Sequence, residues 1–120
     1  MLITGDVVSY PIPYVIQPIA HAKALRSLLA LDAATIIPGH GPAFHDTQFL
    51  SLELRLFDAV RDAVLKARSD GIANVSELQS RITVEELRQE FTHNDANLDA
   101  RVRLRVRAMV GFVLAELAAR

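Results

Sequence analysis

The sequence predicts an α/β fold, and three observations carry that expectation. A β-preferring run, Thr35-Ile36-Ile37, ends in Pro38-Gly39-His40-Gly41-Pro42, as a strand entering a tight turn does. A second apolar run, Leu2-Ile3-Thr4, enters Gly5-Asp6 in the same way. Between them lies a segment of helical spacing, so strand, helix and strand follow one another within about forty residues, the βαβ arrangement.

In chain order, residues 2–9 read as two short strand pieces pivoting at Gly5-Asp6. Pro11, Pro13 and Pro18 exclude a helix over residues 10–18, because each removes a backbone donor and biases its neighbour toward extended conformations. Tyr10 and Tyr14 in this stretch either rim a site beside Asp6 or pack on the core from an extended connector; half-buried tyrosines favour the connector. Pro18 suits the first turn of a helix, where its missing N–H costs nothing. Ala22, Leu25, Leu28 and Leu29 then form an apolar stripe, with Lys23, Arg26 and Ser27 opposite. Asp32 lies in the turn to a strand at 34–37. Pro38 is expected to stop that strand, and Gly39 and Gly41 free the backbone on either side of His40 for positive φ or close approach.

Residues 46–120 read as helical. Asp46 or Thr47 can cap a long helix whose buried face is Leu50, Leu54, Phe57, Val60 and Val64, widened by Leu52 and Leu56. Asp58 with Arg61, and Asp62 with Lys66, are spaced for exposed ion pairs, and Gly71 ends the helix. A further helix starts near Ser76, with Gln79 placed to complete a capping box. Thr83 and Glu86 repeat that box, with Ile82 and Leu87 as a hydrophobic staple. Arginine alternates with apolar residues from Arg101 to Arg107, which fits a strand. Leu98, Val102, Val106, Met109, Val113 and Leu117 fit a helix over about twenty residues, and strands rarely exceed ten. The segment is assigned as helix. Its arginines form a phosphate-binding patch or a solvated basic face, and the absence of a base-stacking aromatic platform favours the face.

Composition bounds the function classes. At 51% hydrophobic and 22% charged, the chain is neither disordered nor fibrous. A net charge of −1 gives no global attraction to nucleic acid or anionic membrane, so neither is expected as a partner. Without cysteine there are no disulfides or thiolate ligands. No apolar run approaches the ~18 residues of a membrane span. No signal peptide is recognised, which makes a cytoplasmic location the default expectation.

One strand end thus offers a carboxylate, Asp6, and another an imidazole, His40, which together make half of a metal site. The alternative is a turn-stabilising aspartate and a core histidine. His45 is the nearest further histidine in sequence and otherwise an exposed loop residue; His21 and His93 read as structural or solvent-facing.

Thr4-Gly5-Asp6 followed by Pro38-Gly39-His40-Gly41-Pro42 resembles the second half of metallo-β-lactamase-fold hydrolases, over about residues 2–70. The resemblance implies half of a four-layer αββα sandwich with a helical C-terminal extension. It also implies a dinuclear zinc cofactor, with Asp6 bridging the two ions and His40 on the second. The family's His-x-His-x-Asp-His motif is absent, so the 120 residues are expected to form a single partial domain: a site-bearing part, 1–45, and a helical part, 46–120. The implied function is the C-terminal portion of a zinc-dependent hydrolase acting on an ester, thioester, lactam or phosphodiester. With only two ligands, such a chain is expected to be inactive alone and to act as a homodimer or with a chain supplying the first half. The alternative is a non-catalytic remnant or interaction module that pairs with itself or with such a chain.

Overall fold

A computed structural model describes residues 1–13 and 15–119, so the reading of Tyr14 as a rim residue lies outside the described residues. Leu2–Ser9 forms strand β1 and Ile36–His40 strand β2, paired in parallel. Helix α1, Pro18–Ala30, connects them. The pairing sets Leu2 against Ile36 and Ile3 against Ile37, and its register slips on both sides of Gly5. Gly5 has φ +56°, so the expected pivot is an irregularity within one strand rather than a break between two. The same irregularity accommodates Pro38, opposite Gly5. β2 therefore does not stop there, as its sequence predicts, but runs on to His40. Phe44 returns antiparallel onto Ile36, exchanging two 2.8 Å backbone hydrogen bonds with it.

Four helices follow: α2 (Gln48–Ser69), α3 (Val75–Arg81), α4 (Glu85–Thr92) and α5 (Ala96–Ala118). The arginine-rich segment is helix throughout. α5 packs on each of the other four helices, and α2 also contacts α1 and α4. Leu50, Leu56, Phe57, Val60 and Val64 of α2 meet Val102, Val106, Met109, Val110 and Val113 of α5 in one buried cluster with Leu25 and Leu78. Ile36 and Val8 carry that cluster under the sheet. Leu54, expected inside, is only half-buried, and Glu53 takes a buried place.

The expected α/β class, half of an αββα sandwich, is not what the chain forms. The described residues hold two strands and five helices and are mostly helical. The physical reason lies in the residues after β2: their apolar positions recur at helical spacing, and none forms a strand of its own to widen the sheet.

Helix ends are satisfied by partners only partly foreseen. Gln17 makes no side-chain cap for α1. Instead Glu116 of α5 accepts the Ile19 and Ala20 N–H groups at 2.7 and 3.1 Å. Asp46 accepts the Gln48 N–H at the start of α2, and Gly71, at φ +88°, follows its last turn. Asn74 caps α3 through the Glu77 N–H, while Gln79 reaches across to the Arg107 carbonyl of α5. The Thr83–Glu86 box does not form: the residue at the N-cap of α4 is Val84, with φ +41° and no side-chain cap. The Thr83 carbonyl instead accepts from the Arg88 guanidinium.

Candidate functional site

The ends of β1 and β2 and the proline segment after β1 open onto one cavity of about 1000 Å³. Asp6, His40, His21 and Tyr10 line it, together with Arg101 and Arg105 of α5. The parallel pairing is what brings Asp6 and His40 to the same corner, since Gly5 lies opposite Pro38 and Ser9 opposite His40. The Tyr10 N–H donates to the His40 carbonyl at 3.1 Å and fixes the two strand ends to each other.

Glycine is required at this corner because the backbones almost touch. A Cβ on Gly39 would lie 2.6 Å from the Gly5 carbonyl carbon and oxygen and 2.8 Å from Asp6 Oδ1. On Gly41, at φ +102°, it would lie 2.6 Å from Tyr10 Cβ. The expectation that these glycines serve close approach and positive φ describes them correctly, Gly39 for the first and Gly41 for both. Asp6 and His40 are solvent-exposed, and neither side chain makes a hydrogen bond or ion pair among the described residues.

His21 is more deeply involved than its sequence position suggests. Its ring packs edge-on to Phe57 at 5.1 Å, and Nε2 lies 2.5 Å from the Val7 carbonyl. A carbonyl only accepts, so Nε2 carries a proton and donates it to Val7. His45 is exposed on the loop after β2 and does not line the cavity; His93 sits at the C-terminal end of α4 at φ +48°. Tyr10 combines its two expected roles, packing on Phe44 and Phe49 at 5.5 and 5.1 Å while 43% exposed at the cavity.

A catalytic zinc ion takes three protein ligands and keeps one position open. Among the described residues no group of three or more His, Asp or Glu side chains is arranged to hold a metal. Asp6 and His40 offer two donors, and the described residues do not by themselves fit a zinc ion. No family model matches the chain, and no curated protein or solved structure matches it either.

One functional candidate escaped the sequence reading. Glu53 lies 1% exposed on α2, where Oε1 accepts the Ser9 N–H at 3.3 Å and Oε2 has no partner. Burial raises its pKa to about 8, against the weaker opposing pull of the Ser9 hydrogen bond, so the acid is protonated at neutral pH. Its spacing held the signal: position 53 is three residues after Leu50 and four before Phe57, within the apolar stripe. Of the arginines that the sequence assigns to a solvated face, Arg101 and Arg105, four residues apart on α5, line the cavity.

Proposed function

We propose that this chain contributes Asp6 and His40 to a metal-dependent hydrolytic site whose remaining donors come from another chain. The observation that supports it is the corner itself. A carboxylate and an imidazole, both without protein partners among the described residues, share one large open cavity beside a glycine contact that admits no side chain. An ionised carboxylate has two oxygens to offer and a neutral imidazole one nitrogen, the donor types that zinc accepts. Two donors leave an ion mobile, and electrostatic catalysis requires charges in fixed positions. The chain alone is therefore expected to bind zinc weakly and to hydrolyse lactam, thioester or phosphodiester substrates no faster than free metal. Calorimetric zinc titration of the wild type, Asp6→Ala and His40→Ala tests this, with weak binding lost in both variants as the expected result. Zinc binding untouched by both substitutions would remove the proposal.

A second reading, a non-catalytic module that pairs with itself or another chain, is favoured by Ile3. That side chain is 70% exposed on the sheet, whereas parallel strands are ordinarily covered on both faces. Zinc uptake abolished by Asp6→Ala separates the two readings, because a pairing module has no need of that carboxylate.

A further inference from the structure

Consecutive amides of an extended strand point to opposite sides, and the site end of β1 uses both. The Tyr10 N–H donates to the His40 carbonyl of β2 at 3.1 Å, while the Ser9 N–H donates on the other side to Glu53 Oε1 at 3.3 Å. That other side has no strand among the described residues. Two residues back, the Val7 carbonyl accepts from His21 Nε2 at 2.5 Å. A residue of a parallel neighbour strand bonds to this same pair of groups, the carbonyl of one residue and the N–H two residues on. Leu2 is paired with Ile36 in that register, its N–H on the Thr35 carbonyl at 2.8 Å. His21 from α1 and Glu53 from α2 therefore supply, with two side chains, the donor and the acceptor of one residue of a third parallel strand. They also meet in the core, where the His21 ring packs on Phe57, one turn along α2 from Glu53.

These contacts fall where β2 holds β1 least. From Gly5 to Ser9, four steps of β1 are matched by two of β2, from Pro38 to His40, and Pro38 has no N–H to give. Asp6, Val7 and Val8 lie in that irregular stretch. We infer that His21 and Glu53 are positioning residues for the Asp6–His40 corner, holding the site end of β1 as a third strand would. With both in place Ser9 is fixed, and the adjacent Tyr10 N–H stays on the His40 carbonyl. Asp6, held between this anchor and the Gly5–Pro38 pairing, then keeps its place against Gly39 and its distance from His40. As a statement about function the inference rests on the proposed metal site. As a statement about what holds β1 it does not.

Burial keeps the Glu53 acid protonated at neutral pH, so Glu53→Gln copies its shape, its neutrality and its acceptor. Glu53→Met keeps the volume without the acceptor, and His21→Phe keeps a ring against Phe57 without the donor. Amide hydrogen exchange of the metal-free full chain is read at Tyr10, whose bond neither residue makes, and at Val60, buried in the middle of α2. Glu53→Met and His21→Phe should each speed exchange at Tyr10 about tenfold beyond any change at Val60, the loss of one hydrogen bond to the strand. Glu53→Gln should leave Tyr10 near wild type. Calorimetric zinc affinity should fall about tenfold in Glu53→Met and be kept in Glu53→Gln. Exchange at Tyr10 that changes no more than at Val60 would make both groups ordinary core residues and overturn the inference. So would exchange in Glu53→Gln as fast as in Glu53→Met. The expected response at Tyr10 with zinc uptake that ignores Asp6 and His40 sinks only the hydrolytic reading. Zinc uptake that follows those two residues but is equal in Glu53→Met and wild type sinks only this one.

Discussion

A methyl group at Gly39 would collide with backbone rather than with the movable end of a side chain. Gly39→Ala is therefore expected to cost about 1–3 kcal/mol, as overpacking does. Gly41→Ala should cost a similar amount, since it adds a left-handed φ to a contact with Tyr10 Cβ. His40→Ala removes an exposed side chain without partners among the described residues and should leave the melting temperature nearly unchanged in metal-free protein. A larger loss from His40→Ala than from either glycine change would make His40 a structural residue. Glu53 gives a prediction with a defined sign. Its folded pKa of about 8 lies above the ordinary value of 4.5 for a glutamate, so the folded state holds a proton that the unfolded state has released between those two values. The stabilisation is fully present below pH 4.5 and is lost as pH rises toward 8, by at most about 1.4 kcal/mol per pH unit. Glu53→Gln should flatten that slope, and melting curves from pH 5 to 9 measure it. At this scale the glycines were legible because few residues tolerate such turns. Glu53 was hidden by its chemistry, although its position within the leucine stripe marked it as inward-facing.

Among the elements, α4 and α5 are joined by a buried charge. Arg88 is 4% exposed at its side chain and pairs with Asp99 at 3.2 Å, while Arg103 holds the other carboxylate oxygen. Desolvation raises the Asp99 pKa, but the hydrogen bonds and charges of Arg88 and Arg103 outweigh it, and the net shift is downward. The stability this group contributes is present above the ordinary carboxylate pKa and fades as pH falls below about 4. Asp99→Ala leaves the Arg88 guanidinium buried without its carboxylate and should cost more than the loss of an exposed pair. Asp58→Ala breaks a more exposed pair with Arg26 and should cost about 1 kcal/mol or less. Denaturant titrations of both variants check the ranking, and equal losses would refute it. Glu116→Ala removes two hydrogen bonds from the start of α1 and should cost about 1–2 kcal/mol by the same measurement. Helix existence was legible here because apolar positions recur at regular spacing. Cap partners were not, since Glu116 reaches α1 from the far end of the chain and the left-handed Val84 takes the N-cap place expected of Thr83.

The whole molecule is a slab of 45 × 35 × 18 Å with a radius of gyration of 14.5 Å, a little above the roughly 13.6 Å expected of a compact chain this long. α2 and α5, 22 and 23 residues, are each about 33–35 Å long and set its broad dimensions. The strand–helix–strand opening could be read from residues 2–40, because prolines, glycines and β-branched runs act locally. The size of the sheet could not: motifs at two strand ends say nothing of how many strands join them, and the helical C-terminal segments decide the class. The sheet that results has one inward face, Leu2 and Ile36, and one outward, Ile3 and Ile37. α1 is the helix that packs most on β1, and Ile3 remains 70% exposed. Parallel strands bury both faces in most folds, and an uncovered apolar strand face is a surface on which chains associate. Sedimentation velocity over a micromolar series is expected to show a concentration-dependent dimer. Ile3→Lys, which puts a charge at the centre of that face without touching Leu2 or Ile36, should shift it to monomer with little change in melting temperature. A wild-type chain that stays monomeric at high micromolar concentration would show that the outward face is tolerated bare.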